Sequence, residues 1–151
     1  MAKKTLYTAE ATATGGRNGQ VRSSDGVIAM QMSAPRGLGG REGATNPEQL
    51  FAAGYASCFQ QALLVVAGEE KQPLDPAFAV NCEVALQQTD AGAYGLAATL
   101  TVRVPGVPAA QARALVERAH EICPYSVSTR GNMQVQLRLE DDEGHRTDIG
   151  G

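Results

Sequence analysis

An α+β fold, with largely antiparallel sheets around one long buried central helix, is predicted by three observations. Residues in the first third and the middle of the chain alternate apolar and polar with period two, as half-buried strands do. Between them lies the longest apolar stretch, Leu50 to Ala67, which has the length of a long helix. A shorter helical stretch then precedes a last alternating segment. The predicted order is three strands, a buried helix, two strands, a shorter helix and a final strand, all in one domain spanning 1–151.

Tyr7, Ala9, Ala11 and Ala13 alternate with polar residues, and the run Gly15-Gly16-Arg17-Asn18-Gly19 brings the Asn-Gly signal of a hairpin. Val21 begins the return strand, and Asp25-Gly26 marks a second hairpin leading into Val27 to Met32. Ser33 to Thr45 is glycine-rich and lacks periodicity, so it reads as a loop. Asn46 suits an N-cap, with Pro47 at N1, Glu48 at the positive end of the dipole and Gln49 able to complete a capping box. The helix is expected to run to about Ala67, with Gly68 as its stop. It is apolar on nearly every face, which calls for cover on all sides.

Phe78, Val80, Cys82, Val84 and Leu86 share one strand face, with Asn81, Glu83 and Gln87 on the other. After a turn at Thr89 to Gly92, Leu96, Ala98, Leu100, Val102 and Val104 repeat the pattern. Pro108 opens a helix to about Ile122, which Pro124 ends just after Cys123. Met133, Val135, Leu137 and Leu139 form the inward face of the last strand, and the polar tail from Asp141 is expected to fray.

The chain is 43% apolar and 19% charged with a formal net charge of -3, and its basic residues are scattered, which argues against a nucleic-acid partner. No apolar signal segment follows Met1-Ala2-Lys3-Lys4, and Ser57, Gln60 and Gln61 interrupt the apolar helix, so a cytoplasmic protein outside the membrane is expected. Three cysteines disfavour a structural disulfide framework and make a redox or catalytic role worth testing. His120 and Cys123 have the spacing of two metal ligands, but the remaining two of a tetrahedral set are missing, so no metal or cofactor is expected. Arg36, Arg41 and the glycine-rich loop lack phosphate-loop spacing.

Each cysteine has a plain reading as core. Cys82, between Val80 and Val84, reads as a small buried hydrophobe with an inert thiol. Cys58 is mid-helix, and composition alone favours packing; against this, Ala52, Ala53, Gly54, Ala56 and Ser57 leave room beside the sulfur. A thiolate there gains little from the helix terminus and needs a cation from elsewhere. Cys123 stands at a helix end before a proline, where burial and a backbone able to shift are both compatible with its position.

The run Asn46-Pro47-Glu48-Gln49-Leu50-Phe51-Ala52-Ala53-Gly54-Tyr55-Ala56-Ser57-Cys58-Phe59 resembles the first-cysteine helix of the organic hydroperoxide resistance proteins, relatives of the osmotically inducible peroxidases. Cys123-Pro124-Tyr125-Ser126, continuing to Thr129-Arg130-Gly131-Asn132, is similar to that family's second-cysteine segment. The resemblance implies an intertwined homodimer with two active sites at the subunit interface. It implies Cys58 as peroxidatic cysteine, Cys123 as resolving cysteine, and Arg17 and Glu48 as their charged partners. It further implies an organic hydroperoxide substrate, fatty-acid hydroperoxides among them, and a lipoylated protein or small dithiol as reductant.

Physical chemistry supplies reasons for those roles. A thiol of ordinary pKa, about 8.5, is only a few per cent thiolate at neutral pH, and an adjacent guanidinium lowers that pKa. Glu48 and Cys58 are ten positions apart, about 15 Å along a helix axis, and point in different directions. Arg17 and Glu48 are therefore expected to reach Cys58 from the partner subunit, with Cys123 coming from the same chain as Cys58. A cysteine hydrolase using His120 or His145 is disfavoured because nothing pairs either with Cys58. A non-catalytic redox sensor or ligand-binding dimer remains the alternative, and steady-state turnover separates it from a peroxidase.

Overall fold

A computed structural model of the chain describes residues 3–151; Met1 and Ala2, read above as part of a start without a leader, lie outside the described residues. The chain forms two compact units, one ending at Leu50 and one beginning at Phe51. The boundary falls inside the first long helix.

The first unit is a three-stranded antiparallel sheet of β1 (Ala11–Thr14), β2 (Gln20–Ser23) and β3 (Ala29–Gln31), in that spatial order. Tyr7 and Ala9, predicted to lie in the first strand, fall outside β1. The ladder ends at Ala11↔Ser23, with one further bond from Ser24 N–H to the Glu10 carbonyl, and the chain beyond β2 then turns at Gly26. The Asn-Gly signal located the first hairpin, but the connection is five residues long and contains a 3-10 turn over Gly16–Asn18. Its left-handed positions are Gly15 and Gly16, at φ 77° and 59°. A Cβ on Gly19 would collide with the Thr14 carbonyl, so glycine is required there by close approach. This turn presents Arg17, and Asn18 Oδ1 accepts from the Ala34 N–H at 3.2 Å, fastening the turn to the following loop.

The helix α1 (Pro47–Glu69) starts as predicted: Asn46 Oδ1 accepts from the Gln49 N–H at 2.9 Å with Pro47 in the first turn. It ends later than predicted. Gly68 is helical, and the stop is Lys71, left-handed at φ 54°. Gln72 N–H bonds to Ala67 O and Lys71 N–H to Gly68 O, the paired bonds of a Schellman end. By length and composition α1 could cross a membrane. Here its Tyr55, Phe59, Leu63 and Val66 face is fully buried in the core, whereas Leu64 and Val65 are 46% and 43% exposed. The expected burial is thus one-sided within a single chain.

The second unit holds a four-stranded sheet, β4 (Ala79–Gln88), β5 (Tyr94–Arg103), β6 (Gln134–Glu140) and β7 (Arg146–Gly150), in that order. Burial alternates along β4 with Val80, Cys82, Val84 and Leu86 turned inward, as the period-two pattern predicted. Strands β4 and β5 form an antiparallel hairpin paired from Ala79↔Arg103 to Gln88↔Tyr94. The β5–β6 pair is parallel, an exception to the expected antiparallel pairing. The helices α2 (Ala109–Ile122) and α3 (Pro124–Thr129) between them carry the chain back to the start of the sheet, which a hairpin turn cannot do.

Two further differences concern polar segments. Pro124 ends α2, but it also opens α3, because a proline is well suited to the first helical position once Cys123 has taken an extended conformation (φ -61°, ψ 123°). The tail does not fray: β7 pairs with β6 and buries Ile149. With Ile149 its one apolar side chain among five residues, β7 carries too little pattern to reveal so short a strand.

Candidate active site

Sequence reasoning singled out two cysteines and one charged pair, and the structure brings them together two by two. In the first unit the Arg17 guanidinium meets the Glu48 carboxylate in a bidentate fork, Nη2 donating to Oε1 at 2.6 Å and Nη1 to Oε2 at 2.8 Å. The partners come from the hairpin turn and the first turn of α1, thirty-one positions apart. Such planar pairing fixes the guanidinium's orientation as well as its charge. The Arg17 bonds hold Glu48 below the ordinary carboxylate range, helped by its own backbone N–H and opposed by partial burial.

In the second unit all three cysteines are free thiols. Cys123 is fully buried at the α2–α3 junction, and its Sγ donates to Cys58 Sγ at 3.6 Å. A disulfide needs about 2.05 Å, so the sulfurs have about 1.5 Å to close. Burial pushes the Cys58 thiol above its ordinary value; the Tyr125 backbone N–H pulls it back, and Cys123 raises it again. No cation is among these influences. Within the second unit, Cys58 and Cys123 bring two sulfurs to 3.6 Å.

Aromatic rings stand beside the pair. Tyr125, which supplies the N–H to Cys58, has its ring 5.4 Å from Tyr55 and 5.7 Å from Phe51. Its hydroxyl lies where a Cβ on Gly54 would be, at 2.6 Å, one helical turn before Cys58. Glycine at 54 is what lets this ring lie against α1. The spacing of Gly54 from Cys58 gave room beside the sulfur as a reading; only the fold shows that Tyr125 takes part of it.

Cys82 stays apart, half-buried against the core, with its thiol pushed up to about 11 by burial and by the adjacent Glu83. Among the described residues no group of three or more His, Cys, Asp or Glu side chains could hold a metal ion. His120 is committed otherwise: its Nδ1 is 2.9 Å from Ser126 Oγ, which is 2.8 Å from the Tyr55 hydroxyl. Ser126 was not singled out in the sequence. Its signal was the equal spacing of His120 and Ser126, three residues on either side of Cys123, hidden by the helix break at Pro124.

Residues 39–138 match the family described as OsmC-like protein. A protein of Xanthomonas axonopodis pv. citri (strain 306) named organic hydroperoxide resistance protein is 48% identical over 138 residues, covering 91% of this chain and 96% of its own. A crystal structure of an organic hydroperoxide resistance protein from Elizabethkingia anophelis superposes with a TM-score of 0.87 at 45% identity, covering 93% of this chain and 100% of that one. The corresponding crystal structure from Legionella pneumophila gives a TM-score of 0.85 at 46% identity, covering 90% and 98%. With nearly the whole chain matched in both sequence and fold, this protein belongs to the OsmC-like family and, within it, to the organic hydroperoxide resistance proteins.

Proposed function

We propose that the chain is a thiol-dependent peroxidase that reduces organic hydroperoxides, lipid hydroperoxides among them, to alcohols. The observation that carries this reading is the approach of two free thiols, Cys58 and Cys123, at 3.6 Å from separate helical segments. The Cys58 thiolate attacks the terminal oxygen of RO–OH, the O–O bond breaks, and the alkoxide leaves with a proton as ROH. Cys58 is left as sulfenic acid. The Cys123 thiol then forms the S–S bond, releasing the oxygen and its two hydrogens as water. A dithiol, small or lipoylated, restores both thiols and becomes a disulfide itself.

The cation that the Cys58 thiolate calls for is Arg17, which stabilises the thiolate and the negative charge growing on the departing alkoxide. Glu48 holds the guanidinium in place. Ten residues of one helix separate Glu48 from Cys58, so the reading places Arg17 and Glu48 of one subunit against Cys58 of the other in a homodimer. The exposed Leu64 and Val65 on α1 support a second chain as cover. The aromatic wall of Phe51, Tyr55 and Tyr125 favours alkyl hydroperoxides over hydrogen peroxide, since each buried CH₂ contributes about 0.8 kcal/mol. The enzyme is expected to work in the cytoplasm.

Steady-state assays with cumene hydroperoxide and dihydrolipoamide test the reading. Native protein is expected to turn over, Cys58→Ser to be inactive, and Cys123→Ser to reduce about one equivalent and then accumulate oxidised Cys58. Native protein oxidised once and not recycled would identify a sensor instead.

A further inference from the structure

Three helical segments meet at one buried hydroxyl. Ser126 of α3 has no exposed surface, and its Oγ touches both the Tyr55 hydroxyl of α1 at 2.8 Å and His120 Nδ1 of α2 at 2.9 Å. Tyr55 is also fully buried. Each of the three stands three residues from a redox sulfur: Tyr55 before Cys58, His120 before Cys123, and Ser126 after Cys123. Between α2 and α3 only Cys123 is non-helical, so its sulfur moves with whatever holds the two helices to each other and to α1.

We infer that the Tyr55–Ser126–His120 chain is a clamp that positions Cys123 against Cys58, and so decides whether oxidised Cys58 closes to the disulfide or is oxidised further. This rests on the peroxidase reading above. The Ser126 hydroxyl has one proton and two lone pairs, so it donates to at most one of Tyr55 and His120 and accepts from the other, and either direction ties the three side chains together. Burial first, then Arg130, lowers the His120 pKa and favours the neutral ring. Arg130 Nη2 also donates to the His120 carbonyl at 2.7 Å, tying the end of α3 to the end of α2, while Thr129 Oγ1 donates to the Ser126 carbonyl at 3.2 Å within α3. Leaving one member of such a buried chain unpaired releases the others from fixed geometry.

The two chemical steps should respond differently. Attack on peroxide uses Cys58 and needs no particular place for Cys123. Disulfide closure needs both sulfurs aligned, and a misplacement of about 1 Å can cost up to about a hundredfold in rate. Tyr55, Ser126 and His120 are thus positioning residues for the second step.

The test is rapid-quench single turnover with cumene hydroperoxide, followed by thiol alkylation and intact-mass measurement, on native protein, Tyr55→Phe, Ser126→Ala, His120→Ala and His120→Asn. Expected is first-step oxidation of Cys58 within about twofold of native, disulfide closure slower by about tenfold or more, and sulfinic acid accumulating at excess peroxide. His120→Asn, whose amide oxygen can take the place of Nδ1, should recover much of what His120→Ala loses. Closure at the native rate in Tyr55→Phe and Ser126→Ala overturns the inference, and so does equal slowing of both steps. Should Ser126→Ala not fold, Tyr55→Phe, which keeps the ring and loses only the hydroxyl, decides. If native Cys58 is not oxidised by the hydroperoxide, the peroxidase reading falls by itself. Disulfide closure driven by diamide then reads the clamp on the same variants, fast in native protein and slow in the others.

Discussion

The hairpin turn with the start of α1 and the middle of α1 with the α2–α3 junction solve opposite electrostatic problems. In the first region an arginine and a glutamate neutralise each other in a bidentate fork at the edge of solvent, 34% and 16% exposed. In the second, two thiols sit among aromatic and aliphatic side chains, and burial raises the pKa of Cys58, the one that ionises in the proposed mechanism. A catalytic thiolate needs what the first region holds, and the second is the only one of the two with sulfur to ionise. Under the proposed mechanism, chemistry divided this way is joined by the assembly of two subunits. An apolar site can keep its substrate's alkyl chain dry without permanently burying a guanidinium, provided the charge arrives already paired.

Mixed dimers give the strongest way to break this comparison. Cys58→Ser and Glu48→Ala homodimers should each be inactive or nearly so. If the charged pair of one subunit serves the sulfur pair of the other, the heterodimer places both lesions in one site and neither in the second. About half the native activity per dimer should then return, the largest relative change expected of any variant here. Absence of recovery, with heterodimers demonstrated by native mass spectrometry, would mean that Glu48 and Cys58 act from one chain or not together.

A smaller effect sharpens the charged half. The folded pKa of Glu48 lies below its unfolded value of about 4.3. The unfolded chain therefore takes up the proton first, and stability from the pair is complete above that unfolded value and lost as pH falls through the folded one. Thermal denaturation of native protein and Glu48→Gln should differ at neutral pH, and the gap should close on acidification. A gap independent of pH would assign the effect to packing. Because the pair is partly exposed, the gap should also narrow with salt.

What the sequence made legible follows from how local each signal is. Helix α1 and the β4–β5 hairpin were readable because periodicity and caps act over a few residues, as Asn46 and the alternation of Val80, Cys82 and Val84 show. Gly68 misled because glycine marks a helix end only where the backbone turns left-handed, and here Lys71 makes that turn instead. Strand β7 and the parallel β5–β6 pair depend on long-range pairing, which local pattern does not encode. At the site, the cysteines and the Arg17–Glu48 partners could be named from motif resemblance. The Tyr125 amide on Cys58 and the Ser126 hydroxyl between two helices could not, because the break at Pro124 erases the periodicity that would have placed them on one face.

Cys82 supplies the smallest expected effect and the control for the whole comparison. Like Cys58 it is a partly buried thiol whose pKa burial raises, here to about 11, leaving on the order of one thiolate in ten thousand at pH 7. The difference lies in what surrounds the sulfur. Cys58 has a backbone N–H and a second thiol within reach, whereas Cys82 lies on β4 opposite the fully buried Leu100, with Glu83 next in sequence opposing ionisation. A substitution at Cys82 should therefore act through packing alone. Cys82→Ala removes one sulfur from a half-buried position, and a cost of about 1 kcal/mol with turnover within about twofold of native is expected. Iodoacetamide at neutral pH should label Cys58 and leave Cys82 untouched, which peptide mass mapping reads directly. A folded but inactive Cys82→Ala protein would show that a raised pKa and a place in the sheet do not make this thiol inert. The separation between a sulfur region that reacts and a core that only packs would then have to be redrawn around β4.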